Sequence, residues 1–165
     1  MLQEIIYSYR YSMKILGLDP ALAKTGFAVI EGEKALDHGL INTGSSDVPV
    51  GDRLDFLRMA IQNIVSMHSP DVLILEDFWS VINNRVTHRK LQWAVGAIVI
   101  ACRPMTPIFY NPSQWKKTVT NDGKATKDAV RKVVATRFGL KPKSLSFDEA
   151  DALAVALCHY ERCKP

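Results

Sequence analysis

The sequence predicts an α/β fold, a five-stranded mixed sheet flanked by helices. Three observations predict it. Short apolar segments at 14–18, 25–31 and 35–43 follow one another at hairpin spacing, and beyond them helical and strand patterns alternate. The run DVLILE at 71–76 is apolar without a break until its final carboxylate, the pattern of a parallel strand covered on both faces by helical crossovers.

Residues 1–12 carry three tyrosines and no periodicity, and are expected to be an N-terminal extension outside the core. The remainder, 13–165, is expected to be a single domain. A chain of 165 residues with 47% hydrophobic content can enclose one core and is short for two. The first strand ends at Asp19-Pro20, and Gly32 turns the second into the third. Leu54, Leu57, Ile61, Ile64 and Val65 recur at helical spacing, so a helix is expected over 50–68, stopped by Ser69-Pro70. After the strand at 71–76 come a helix over 86–102, a short strand at 107–110, a basic amphipathic helix over 127–138 and a last helix over 147–160. Ser146 and Glu149 form a capping-box pattern at the start of the last helix.

Net charge is only +4, but it is unevenly spread. Residues 114–143 hold nine basic residues against Asp122 and Asp128, and residues 80–103 hold Arg85, Arg89, Lys90 and Arg103 with no acid. Two such tracts suit a polyanion, nucleic acid above all, although solvated helix faces read the same way. Three cysteines without a C-x-x-C pair point to neither a disulfide framework nor a zinc ribbon. Cys158, His159 and Cys163 lack a fourth ligand and are read as core and tail residues. No apolar run reaches the ~18 residues of a membrane span and no signal peptide opens the chain, so a soluble, cytoplasmic protein without a membrane partner is expected.

Acids carry the chemistry. Asp19 and Glu76 each terminate an apolar strand, and on neighbouring strands they share a crevice at the carboxyl edge of the sheet. Two acids there repel unless a divalent cation lies between them, and magnesium prefers such hard oxygen ligands. Asp148 and Asp151, three apart, share one face near the start of the last helix, so four carboxylates from three elements can converge. Two ions ~3.5–4 Å apart would activate water on one side of a phosphodiester and stabilise the leaving oxygen on the other. Taken singly, each acid has a plainer role as a loop or helix cap.

L-G-L-D-P with T-G-F-A-V-I, L-I-L-E-D-F-W, W-K-K-T-V-T-x-x-G-x-A-T-K and F-D-E-A-D-A-L-A-V-A-L-C-H occur in that order between residues 14 and 159. In these motifs the chain resembles the RuvC family of Holliday-junction resolvases. The resemblance implies a ribonuclease H-like fold, a homodimer, and paired nicks at a four-way or otherwise branched DNA junction. It also implies two magnesium ions per active site, with manganese as a substitute and no small-molecule cofactor, in a bacterial or phage-infected host. Asp19, Glu76, Asp148 and Asp151 fall on its catalytic, metal-holding positions, and the third of these is histidine in some members. Lys116 and Lys127 match lysines near the scissile phosphate, where a cation stabilises developing charge. Lys117, Lys124, Arg131, Arg85, Arg89 and Lys90 are expected to contact DNA, and Trp79, or Phe78 in its place, to stack at the centre of the junction. Ala21 departs from the family, which usually has glycine after the D-P pair. The apolar face of the 86–102 helix, with Leu91, Val95, Ile98 and Val99, is the expected dimer surface or else plain core.

Other ribonuclease H-like nucleases, acting on RNA or non-junction substrates, share these acids. A sugar kinase or actin-like phosphotransferase would need glycine-rich phosphate loops and over twice the length. A non-catalytic DNA-binding module would have no use for four acids.

Overall fold

In a computed structural model the described residues are 13–77 and 84–164. The expected extension at 1–12, as well as Phe78 and Trp79, lies outside them. The elements are β1 (Lys14–Asp19), β2 (Lys24–Glu31), β3 (Lys34–Asn42), α1 (Val50–His68), β4 (Val72–Glu76), α2 (Arg85–Ala101), β5 (Pro107–Tyr110), α3 (Pro112–Thr120), α4 (Lys127–Arg137) and α5 (Phe147–Cys163). A single 3-10 turn, Pro142–Ser144, precedes α5. Among the described residues no helix is long and apolar enough to cross a membrane.

The strands form one sheet in the order β3-β2-β1-β4-β5. Its first three are antiparallel hairpins, while β4 and β5 run parallel to β1. Alternation then sorts side chains between faces. Leu16 and Leu18 of β1 with Leu73 and Leu75 of β4 pack on Leu57 and Ile61 of α1 and Ala94 and Ile98 of α2. Ile15 and Ile74 point the other way, onto Trp115 of α3, Val130 and Val134 of α4 and the body of α5. By the same period Asp19 and Glu76 face α5.

Helix α5 lies between sheet and helices, buried on all sides from Ala150 to Tyr160. Its closeness to the sheet depends on two glycines. A Cβ on Gly17 would stand 2.5 Å from the Ala152 carbonyl and 2.7 Å from the Ala156 methyl, and one on Gly26 would fall inside the Asp148 carbonyl. Small residues on both partners let the helix settle against the strands and carry its acids to the end of β1.

Local chemistry sets the helix ends. Ser69 closes α1 in the left-handed region, its N–H donating to the Val65 carbonyl. The Asn84 side chain caps α2, which therefore begins one residue before the expected 86. The Ser146 and Glu149 capping box stands as expected. Helix α3 was not expected, yet Asn111 as N-cap, Pro112 in the first turn and Gln114 completing a capping box are ordinary start signals. Of the face expected to be dimer surface or else plain core, Ile98 is wholly buried in the core between α2 and the sheet and Leu91, Val95 and Val99 are half-buried, whereas Val86, Trp93 and Ile100 are the large apolar side chains of α2 that reach solvent.

Candidate active site

Asp19 ends β1 and Glu76 ends β4, and since Leu18 lies opposite Leu75 the two acids are next-door residues of adjacent strands. Asp151 comes from the second turn of α5. One carboxylate oxygen from each lies within 4.8 Å of the others, so the three form a cluster able to hold a cation. Their relative exposures are 9, 5 and 5%. Asp148 lies outside this cluster but lines the same cleft, of about 710 Å³, with Asp19 and Lys127.

Electrostatics make the cluster costly as it stands. Burial, then the negative charges of Asp151 and Asp148, pushes Asp19 up to about 8. Burial, then Asp19 and Asp151, pushes Glu76 up to about 9. Asp151 is also raised by burial, against the opposing pull of Lys127. Glu76 Oε2 is buried without a hydrogen-bond partner among the described residues. Burying carboxylates together without compensation is unfavourable, and a divalent cation removes both the repulsion and the unsatisfied lone pairs. The donor set is all oxygen, which suits a hard cation.

Two lysines flank the acids. Lys127, at the start of α4, places Nζ 3.3 Å from Asp151 Oδ2. Burial works against its charge, but Asp151, with Asp19 and Asp148, outweighs this and holds its pKa above the usual lysine value. Lys116 of α3 stands with Nζ 5.6 Å from the Trp115 ring centre, and its charge draws down both Glu76 and Asp151. Helix α5 is steadied at its start by His38 of β3, whose Nδ1 is 3.1 Å from Glu149 Oε1. Burial raises Glu149, but its hydrogen bonds to Ser146 and the neighbouring His38 prevail and leave its pKa lowered.

The remaining expected contacts are scattered. Lys90 lines the cleft, whereas Arg85 and Arg89 stand exposed on α2. Lys124 is exposed before α4. Lys117 Nζ donates to the Asn121 carbonyl at 2.7 Å, tying down the end of α3. Arg131 donates through Nη2 to Asp128 at 2.6 Å and through Nη1 to the Leu145 carbonyl at 3.5 Å and lies 4.4 Å over the Phe147 ring, while its Nε is buried without a partner among the described residues. His159 meets the Tyr110 hydroxyl at 3.0 Å through Nδ1 and Cys163 Sγ at 3.5 Å through Nε2, the packing role expected of that group. At Ala21 the family's usual glycine is not needed: among the described non-glycine residues only Ser69 and Asn121 have positive φ. Sequence reasoning passed over Lys24 and Arg53, which line the cleft too.

A mixed sheet in this order, with helices on both faces and acids gathered at the ends of its two central strands, is the ribonuclease H-like nuclease fold. Within that class the chain belongs to the RuvC family: the family model described as crossover junction endodeoxyribonuclease RuvC matches residues 15–159. The RuvC protein of Caldicellulosiruptor saccharolyticus is 35% identical over 154 residues, covering 89% of this chain and 92% of that one. The structure of Thermus thermophilus RuvC in complex with Holliday junction substrate superposes with a TM-score of 0.81 at 26% identity, over 89% of this chain and 92% of that one. A yeast mitochondrial Holliday junction resolvase shares the fold, with a TM-score of 0.60 at 14% identity over 98% of this chain and 85% of that one.

Proposed function

We propose that this protein is a structure-selective DNA endonuclease that cuts four-way or branched junctions by magnesium-dependent hydrolysis of a phosphodiester. The observation that carries the reading is the buried trio Asp19, Glu76 and Asp151, raised in pKa, with Glu76 Oε2 lacking a partner among the described residues. These three would hold the metal, with Asp148 within reach from the cleft wall. Bound there, magnesium supplies Lewis acidity to the phosphate and lowers the pKa of the attacking water. The protein's own groups do the rest. The carboxylates orient what they bind, rigidly, because two stand on strands and one on a buried helix. Lys127 and Lys116 set fixed positive charge beside the reacting phosphate, where charge accumulates in the transition state. Lys90 and the exposed basic residues of α2 and the α3–α4 region supply backbone contacts, the sequence-independent part of affinity. We assign the branched substrate from the junction bound by the T. thermophilus relative.

Two cuts placed symmetrically across a junction call for two active sites, which a two-fold homodimer provides. Trp93 and Ile100, exposed on α2, are its candidate surface. Trp93→Glu should shift the sedimenting species toward monomer and uncouple the two cuts. A dimer unaffected by that change would move the interface elsewhere.

The test of the function is cleavage with magnesium of a synthetic four-way junction beside duplex, RNA–DNA hybrid and single-stranded DNA. The junction should be cut fastest, and Asp19→Asn should abolish cutting while junction binding survives. Preferential cutting of the hybrid would replace this reading with an RNA-directed one.

A further inference from the structure

Arg53 stands in the first turn of α1 and is only 6% exposed. Its Nε donates to Thr43 Oγ1 at 3.1 Å and its Nη2 to the Leu22 carbonyl at 3.5 Å. Both acceptors are neutral. Among the described residues no carboxylate meets the guanidinium, and Nη1 has no acceptor. A buried charge is tolerated when it is paired, and this one is not. Tying the Leu22 and Thr43 loops together needs two donors, which a neutral side chain could supply; it does not need a cation.

The unpaired cation faces a particular place. Arg53 lines the same cleft as Asp19, Asp148 and Lys127, and so does Lys24, an exposed lysine at the start of β2 for which the described residues offer no ion pair. The acids need a cation, and the basic pair lining the same cleft needs an anion. A DNA strand carries phosphates in series, so a strand with one phosphate at the acids brings a neighbouring phosphate along the cleft. Arginine matches a phosphate with paired donors, and lysine adds a mobile point charge.

We propose that Arg53, assisted by Lys24, forms a second phosphate-binding subsite, which takes a phosphodiester next to the cleaved one on the same strand. The proposal rests on the reading of the cleft as a nuclease site. Its role is register: holding the neighbouring phosphate fixes which phosphodiester lies over Asp19, Glu76 and Asp151. Arg53 is therefore a contact to substrate placed outside the metal site, and its loss shows in binding as well as in cutting.

The experiment uses the full chain carrying Glu76→Gln, which leaves the DNA whole, and four-way junctions in which one phosphodiester at a time, at each linkage flanking the cut, is replaced by a neutral methylphosphonate. Affinity should fall about tenfold at one linkage besides the cleaved one, the scale of a hydrogen bond to a charged group. Adding Arg53→Gln should weaken the all-phosphate junction by a similar factor and erase the discrimination at that linkage alone, because the two changes remove the same contact. Weakening that is uniform over every linkage, or discrimination unchanged by Arg53→Gln, overturns the subsite. Should Arg53→Gln fail to fold, Arg53→Lys and the exposed Lys24→Gln take its place, and full discrimination in both overturns the proposal. Cutting of junctions by Glu76→Gln at the parent rate would instead strike at the nuclease reading itself.

Discussion

Glu76→Gln should make the metal-free protein more stable while it abolishes cleavage. The glutamate carboxyl is pushed from 4.5 up to about 9 by burial and by Asp19 and Asp151. Folded protein therefore keeps this proton across the neutral range, and unfolded chain releases it above pH 4.5. With fewer protons bound in the unfolded state, stability falls as pH rises, by about 1.4 kcal/mol per unit for one proton. At pH 7, 2.5 units above the ordinary value, the carboxyl costs the metal-free fold about 3 kcal/mol relative to pH 4. Glutamine does not titrate, so the variant escapes this loss. For a chain of 165 residues each kcal/mol corresponds to roughly 2–4 °C in Tm, an advantage of several degrees at pH 7 that closes toward pH 4. Calorimetry in EDTA at pH 4, 5.5 and 7 measures it. Magnesium at a hundredfold excess over Kd should then stabilise the parent by about 2.7 kcal/mol, with a matching rise in Tm, and leave the variant unmoved. A variant less stable than the parent at pH 7, or an advantage that persists undiminished at pH 4, would refute the reasoning.

Gly26→Ala places a methyl inside the Asp148 carbonyl, so α5 must back away from β2. About 1–3 kcal/mol of stability should be lost, together with a rise in the magnesium concentration needed for half-maximal cutting; a magnesium titration unchanged from the parent would contradict it. Lys127→Met removes the partner of Asp151 and should slow cleavage ~10²–10³-fold while binding changes little. Since the lysine lowers the Asp151 pKa, the acid limb of the pH–rate profile should also move to higher pH, and a profile that stays put would separate Lys127 from the site. Trp79→Ala, outside the described residues, should slow junction cutting far more than it lowers Tm or duplex binding, as loss of a base stack worth ~1–3 kcal/mol requires. Unfolding of the variant, or cutting at the parent rate, would return the ring to a packing role.

Much of the fold is written in local pattern. The uninterrupted apolar runs before Asp19 and Glu76 mark two central strands and put an acid at the carboxyl end of each, and the period-2 alternation of strands turns both acids to one face. Ser146 and Glu149 announce the start of α5, and with it the positions of Asp148 and Asp151. Such features depend on residues within a few places of one another, which is why periodicity and capping reveal them. Helix α3 is legible on the same terms, in Asn111, Pro112 and Gln114, although its apolar pattern is too short to mark a helix by periodicity. What no local pattern contains is which surfaces meet. That Ile98 is core and Trp93 is surface follows from how α2 lies on β1 and β4. That Asp151 joins Asp19 and Glu76 more closely than Asp148 does follows from the pitch of α5 over Gly17 and Gly26. Arg53 is an unremarkable helix residue in the sequence. Only the approach of the Leu22 and Thr43 loops removes it from water without an anionic partner, because burial, and the cost of an unpaired charge, arise when distant segments pack together.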